Sequence, residues 1–348
     1  MLPAPGLLAL ATAVPPFILR QSEVAAHARR LFPELGDEIE RLLPVYENAG
    51  IETRYSCVPV DWYQKKHGWV ERNRLYIDNA VALLERATLD CLAAAGCGVE
   101  EVDGIVAVST SGIATPSLDA LLMERLGMRR DVQRLPIFGL GCAGGVLGLA
   151  RAAALAQAAP EQKILFLVVE LCGLTFRRTD QSKSNVVASA LFGDGAAAAL
   201  IGCTGNGSTL TAWGEHTWPN SLDVMGWRVE EDGLGVLFSR DIPALVRDQL
   251  RPALEDFLGR QDLGLDDIDS FLCHPGGAKV LAAFEAALGL DNGVLDHARA
   301  VLREYGNMSA ASVMFVLDRA LKAGDTGRYL LSALGPGFTA AFLTMEVG

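Results

Sequence analysis

The chain reads as an α/β protein made of two similar halves, with sheets held between helical layers. Three observations predict this. Residues 163–169 and 196–201 are short, nearly continuous apolar runs of strand length with no solvent face, as expected of strands covered on both sides. Alanine- and leucine-rich stretches of helical length alternate with such runs through both halves. Glycine-rich turns sit at the junctions, and no Pro/Ser linker splits the 348 residues. That length suits one large core or two closely packed domains, expected here as 1–205 and 206–348.

Taken in order, the apolar run at 7–16 is a first core strand that stops at Pro15 and Pro16. It has no basic segment before it, so no secretory leader is expected. Residues 21–43 form surface helices broken near Pro33 and Gly36, with His27 simply solvated. Residues 50–74 carry Arg54, Tyr55, Trp62, Tyr63 and Trp69 without a clean period and read as irregular cover. A helix over 77–95 ends at Gly96 and Gly98. A buried strand over 104–109 leads into Thr110-Ser111-Gly112, and a helix follows over 118–126.

An apolar run at 135–140 feeds Gly141-Cys142-Ala143-Gly144-Gly145, then an alanine-rich helix to about residue 159. The strand at 163–169, read as a central parallel strand, ends on Glu170, beside Cys172 and Thr175. A polar loop spans 177–184, and Phe192-Gly193-Asp194-Gly195 turns a helix end into a strand. The second half repeats the alternation: helices over 242–258, 278–288, 295–303 and 310–323, and strands over 270–273, 329–334 and 338–345.

Composition narrows the partners. A formal charge of -12 argues against nucleic acid or an anionic membrane, while allowing a local basic patch for an anionic ligand. The seven cysteines (Cys57, Cys91, Cys97, Cys142, Cys172, Cys203, Cys273) have neither metal-ligand nor disulfide spacing. No metal is expected, and an odd count suits a reducing cytoplasm. No run approaches the eighteen or so apolar residues of a membrane span.

Three residues at element boundaries, each beside glycine, carry the chemistry. Cys142 sits where a tight turn feeds a helix, and the unpaired N–H groups there favour thiolate over thiol. The plain alternative is a buried cysteine in a glycine-rich packing contact. His274 follows a strand directly and is fixed by Pro275-Gly276-Gly277; alone it could equally be a core or surface histidine. Asn307 could be a helix cap. Jointly they propose a nucleophile, its partner and an amide donor.

The motifs GLGCAGG (139–145), LFGDGAA (191–197), CHPGG (273–277), YGNMSAAS (305–312) and LGPGF (334–338) resemble type III polyketide synthases, the chalcone synthase family. They occur in the same order across essentially the whole chain, and their pattern is similar to the bacterial long-chain alkylpyrone and alkylresorcinol synthases. The resemblance implies a thiolase fold with a five-layered αβαβα core, a homodimer, and coenzyme A thioesters as substrates with no tightly bound cofactor. Cys142 would accept an acyl group from coenzyme A. His274 would pair with the thiolate and, with Asn307, hold the carbonyl oxygen of malonyl-CoA as it loses carbon dioxide. The enolate would attack the thioester on Cys142, and the chain would grow by two carbons.

By the same resemblance, Phe192 is the gatekeeper between the coenzyme A tunnel and the cavity. Val236 stands where plant enzymes carry a second gatekeeper phenylalanine, which implies a more open entrance. Thr110, Cys172, Thr175, Ser309 and Thr115 (a methionine in plant enzymes) would line the pocket, and Gly335-Pro336-Gly337 would scaffold it. Glu170 matches a family glutamate. The plant family's basic residues for the coenzyme A phosphates fall where this chain has Val45, Asn48 and Glu52, so Arg54 and Lys279, with Gly276 and Gly277, are the substitutes. Small residues at 110 and 172 imply medium- to long-chain fatty acyl-CoA starters extended by malonyl-CoA to alkylpyrones or alkylresorcinols, with a naphthalene product from malonyl-CoA alone as the narrower alternative. Two other readings stand beside these. One is a ketoacyl-carrier-protein synthase III that stops after one condensation. The other is a non-catalytic protein of the same fold.

Overall fold

The computed structural model describes residues 3–203, 208–291 and 293–348; the expected division between 205 and 206 lies outside them. In chain order the first half holds β1 (Gly6–Ala13), β2 (Phe17–Arg20), α1 (Gln21–Leu31), α2 (Glu38–Leu42), α3 (Pro44–Glu47), β3 (Thr53–Ser56), α4 (Trp69–Ala95) and β4 (Gly104–Val108). It continues through α5 (Leu118–Leu126), β5 (Gln133–Ile137), α6 (Gly144–Ala158), β6 (Ile164–Leu171), α7 (Lys183–Leu191) and β7 (Asp194–Gly202). The second half holds β8 (Ser208–Thr217), β9 (Met225–Glu230), β10 (Gly233–Phe238), α8 (Ile242–Gly259), β11 (Ser270–Cys273), α9 (Ala278–Leu288), α10 (Asp296–Tyr305), α11 (Ser312–Ala323), β12 (Gly327–Gly335) and β13 (Thr339–Val347).

Nine strands form one ladder in the order β11-β12-β13-β8-β1-β7-β6-β4-β5. Its two ends are parallel, β4 with β5 and β6, and β11 with β12. The middle is antiparallel. β6 is buried throughout, as its apolar run demands. It is parallel to β4 but antiparallel to β7, so the central strand belongs to a mixed sheet rather than a parallel one. The halves are stitched where Gly6 and Leu7 of β1 pair with β8.

The alternation of side chains across β4 and β6 divides the core. Val106, Val108, Phe166 and Val168 face one cluster with α6 and α11. Ile105, Leu165, Leu167 and Val169 face another with α4. Helices α6 and α11 each touch strands of both halves, and α8 packs on β13. α6 has no polar face, because its residues from Gly144 to Ala150 are all buried. Its approach to the second half is close: a Cβ on Gly145 would fall 2.2 Å from the carbonyl oxygen of Ala310.

Some elements were not expected. α4 begins at Trp69, because its first turns are held down by Arg72 and Tyr76, both buried. β3 also falls within the stretch read as irregular. β8 and the hairpin β9–β10 escaped notice because they are half-exposed and lack clean alternation of burial. The hairpin is a separate two-stranded ribbon. Among the described residues, no helix is long and apolar enough to cross a membrane.

Candidate active site

Cys142 lies in a single tight helical turn, Gly141–Ala143, just before α6. Gly141 has φ +47°, and a Cβ there would meet Pro336 Cδ at 2.5 Å. On the other side, a Cβ on Gly335 would meet the Leu140 carbonyl oxygen at 2.5 Å. The 335–336 turn therefore braces the cysteine turn, and neither glycine tolerates a side chain. The Cys142 thiol donates to Ser309 Oγ at 3.6 Å. Part of the residue reaches solvent through the pocket, yet burial of the sulfur pushes the thiol up to about 12, and the nearby Glu170 adds to this. Burial therefore outweighs the helix start that was expected to favour the thiolate.

His274 follows β11 directly, its N–H extending the ladder to the Ser332 carbonyl at 2.7 Å. The ring is buried, and burial lowers it to about 4. Both ring nitrogens lack a partner among the described residues. Asn307 Nδ2 donates to the Gly276 carbonyl at 3.1 Å, two residues from His274. Asn307 Oδ1 accepts the Ser309 N–H at 2.8 Å. Ser309 in turn faces Cys142, so backbone and side-chain contacts run without a gap from the cysteine through Ser309 and Asn307 to the histidine turn. The Asn307 amide keeps a second hydrogen for another acceptor.

Phe192 ends α7 beside the same residues. Asn307 N–H donates to the Leu191 carbonyl at 2.8 Å, and Gly193 N–H to the Asn307 carbonyl at 3.0 Å. The Phe192 ring packs with Cys172 and Ala188 below, and with Trp227, Val236 and Phe238 of the hairpin. Two cavities share Phe192 and Val236 as a wall. One lies over Cys142 and is lined also by Met225, Trp227, Phe238, Ser309 and Pro336. The other, mainly apolar, runs past Cys172 and Thr175 to Val24, His27 and Leu31 of α1.

Comparison with known proteins decides the family. Residues 4–205 match the model of chalcone and stilbene synthases, N-terminal domain, and residues 210–347 match that of the C-terminal domain. The chain belongs to the chalcone and stilbene synthase family. It is 37% identical to a putative chalcone synthase of Bacillus subtilis (strain 168), over 97% of each chain. It is 40% identical to 1,3,6,8-tetrahydroxynaphthalene synthase of Streptomyces peucetius subsp. caesius, over 98% of this chain and 93% of the other. The crystal structure of 1,3,6,8-tetrahydroxynaphthalene synthase from Streptomyces coelicolor A3(2), a bacterial type III polyketide synthase, superposes with a TM-score of 0.92 at 30% identity, covering 98% and 99% of the two chains. The chain is thus a condensing enzyme acting on coenzyme A thioesters, with the two-lobed thiolase-like architecture of its family.

Within this chalcone synthase-like frame several expectations need correction. Arg54 is not a surface phosphate ligand: it is buried, and Nη1 donates to the Ser189 and Phe192 carbonyls at 2.8 and 2.7 Å. Lys279 is exposed on the first turn of α9, beside half-buried Gly276 and buried Gly277. Thr115 is exposed and belongs to neither cavity; it sits on the loop whose Ile113 and Ala114 line a separate groove with Phe138. Thr110 is buried behind the site, its N–H donating to Glu170 Oε2 at 3.1 Å. Gly337 lies off the pocket, its carbonyl accepting from Ser221 Oγ at 3.0 Å. His27, read as merely solvated, lines the outer end of the apolar cavity. Trp227, Phe238 and Met225 were missed. The sequence signal that could have found them is the pair of short apolar segments flanking Asp232-Gly233, a hairpin signature.

Proposed function

We propose that the chain is a type III polyketide synthase that loads a medium- or long-chain fatty acyl group from coenzyme A onto Cys142 and extends it repeatedly with malonyl-CoA, releasing alkylpyrones or alkylresorcinols. The observation that carries this is the apolar cavity leading from Phe192 past Cys172 to α1. Each methylene buried there gains about 0.8 kcal/mol, so an alkyl tail would be selected over a short starter. A second reading, a naphthalene product from malonyl-CoA alone, is favoured by the likeness to the tetrahydroxynaphthalene synthases.

The chemistry follows from the site. Burial opposes a lone thiolate at Cys142 and a lone imidazolium at His274. Passing the proton from sulfur to imidazole creates the two charges together, and each then compensates the other. The thiolate attacks the acyl carbonyl and expels coenzyme A, which takes the proton. Malonyl-CoA next releases carbon dioxide, leaving its electron pair as an enolate whose oxygen accepts from His274 and the free hydrogen of Asn307. The enolate carbon forms the new bond to the thioester carbonyl, and Cys142 departs as thiolate. Lys279 stands where it can meet the coenzyme A phosphates.

The halves 1–205 and 206–348 would form a five-layered αβαβα core, as the contacts of α6 and α11 with both halves support. The working unit would be a cytoplasmic homodimer joined at the outer edge strand β5. Ile113, Leu135 and Phe138 are exposed there, and such apolar side chains on an unpaired edge call for cover by a second copy. Mass spectrometry of products from malonyl-CoA with a panel of acyl-CoA starters, run beside Cys142→Ala, tests the function. Long-chain triketide or tetraketide products lost in the variant are expected. A single condensation that requires a carrier protein would overturn the reading and favour fatty-acid initiation, and absence of any acyl transfer would favour the non-catalytic alternative.

A further inference from the structure

Val236 leaves the mouth of the Cys142 pocket without the bulk of the plant enzymes' phenylalanine, yet the mouth is not open. In the β9–β10 hairpin, Trp227 stands directly opposite Val236, and Met225 opposite Phe238. Residues two apart on a strand share a face, and cross-strand partners lie roughly 5 Å apart on it. These four side chains therefore form one face of the ribbon, and all four line the pocket over Cys142. From that face Trp227 reaches the Phe192 ring, with centroids 6.0 Å apart and planes at 64°. Phe238 meets Phe192 at 5.7 Å. Trp227 is half-buried, with one side against Phe192 and the rest toward solvent.

We propose that Trp227 is the specificity-determining residue at the mouth of the Cys142 pocket, supplying across the hairpin the aromatic bulk that Val236 lacks. The opening it forms with Phe192 is a slot between two ring systems. A linear alkyl or pantetheine chain passes it edge on, whereas an acyl group branched or aromatic next to the thioester carbonyl does not. The substrate class selected is the unbranched acyl thioester. This rests on the reading of Cys142 as the acyl acceptor and adds a residue to it.

The test is acyl loading on Cys142 read by intact-protein mass spectrometry, with dodecanoyl-CoA and benzoyl-CoA as probes, in the wild type, Trp227→Val, Trp227→Phe, Val236→Phe and the exchanged pair Trp227→Val/Val236→Phe. Loading needs no extension step, so it is independent of which polyketide is made. In the wild type the linear probe should load faster by about tenfold or more, the discrimination one steric contact can supply. Trp227→Val should reduce that ratio by about tenfold, Trp227→Phe should largely keep it, and the exchanged pair should restore it. A ratio within about twofold of wild type in folded Trp227→Val would overturn the proposal. So would an exchanged pair that stays as permissive as Trp227→Val. If Trp227→Val fails to fold, Trp227→Phe against Val236→Phe carries the comparison: a crowded mouth makes the second, not the first, slow for both probes. Absence of any acyl adduct on wild-type Cys142 would instead refute the enzyme reading itself.

Discussion

Replacing Arg54 with methionine separates a phosphate ligand from a buried brace. The guanidinium donates through Nη1 to two carbonyls, Ser189 at 2.8 Å and Phe192 at 2.7 Å. Methionine fills a similar volume and leaves both carbonyls without that donor, at about 1–3 kcal/mol each. Relief offsets part of the loss, since Nε and Nη2 are buried without partners and burial already lowers the pKa of the group. The net is a destabilisation of about 2–4 kcal/mol, or a fall in Tm of roughly 4–8 °C for a chain of this size. Differential scanning fluorimetry reads the fall. Kinetics with malonyl-CoA and with malonyl-pantetheine, which lacks the nucleotide phosphates, read the alternative. The brace predicts the same relative loss with both thioesters. An unchanged Tm together with a KM raised only for malonyl-CoA would refute it and return Arg54 to the phosphates.

Three further outcomes follow from the same geometry. Burial raises the Glu170 carboxyl to about 7 from 4.5. The folded state thus holds a proton that the unfolded chain releases, and the stability this residue contributes falls, by about 3 kcal/mol, as pH rises from about 4.5 to 7. Thermal unfolding of Glu170→Gln should therefore improve relative to wild type between about pH 5 and pH 8, and a constant difference would contradict the shift. Iodoacetamide labelling of Cys142 should inflect below about pH 8 while His274 is present to take the proton. In His274→Ala burial alone acts, and the inflection should move up toward about 12; identical profiles would mean the two do not exchange a proton. Phe138→Asp places a charge on the apolar surface beside β5 and should shift the sedimentation coefficient from dimer to monomer without loss of folded signal. A variant that still sediments as a dimer would place the interface elsewhere.

How much the sequence revealed depended on how each feature is encoded. β6, β7 and α6 were legible because full burial forces an unbroken apolar run or an alanine-rich stretch, with glycines where backbones touch. Cys142, His274 and Asn307 were legible as boundary residues beside glycines, and five motifs in order gave the family. Arg54 was misassigned because a charged residue near a helix reads as solvated, whereas its hydrogen bonds reach residues about 135 positions away that no local pattern reports. Thr115 was misplaced for a similar reason: alignment marks a position, not the direction in which a loop turns. Trp227 and Phe238 stayed hidden because a short, half-exposed ribbon has weak periodicity, and its meaning comes only from which residue faces which across the turn. The thiol of Cys142 shows a competition between two real effects, the helix start and burial, whose balance requires the surrounding atoms.

The pairing of the 191–193 backbone with Asn307 fixes how quickly this mouth can work. Phe192 N–H is tied to the Ala188 carbonyl, its own carbonyl to Arg54, and both its neighbours to Asn307. Swinging that backbone aside would carry the amide out of place along with it, so on this side only ring rotation remains, a picosecond-to-nanosecond event for a side chain free to turn. The opposite jamb is a two-stranded ribbon outside the main ladder, able to lift on the slower scale of loops. The entrance therefore has a fixed post and a hinged leaf. Substrate admission can be retarded or hastened by stiffening the leaf, with the reacting groups left undisturbed.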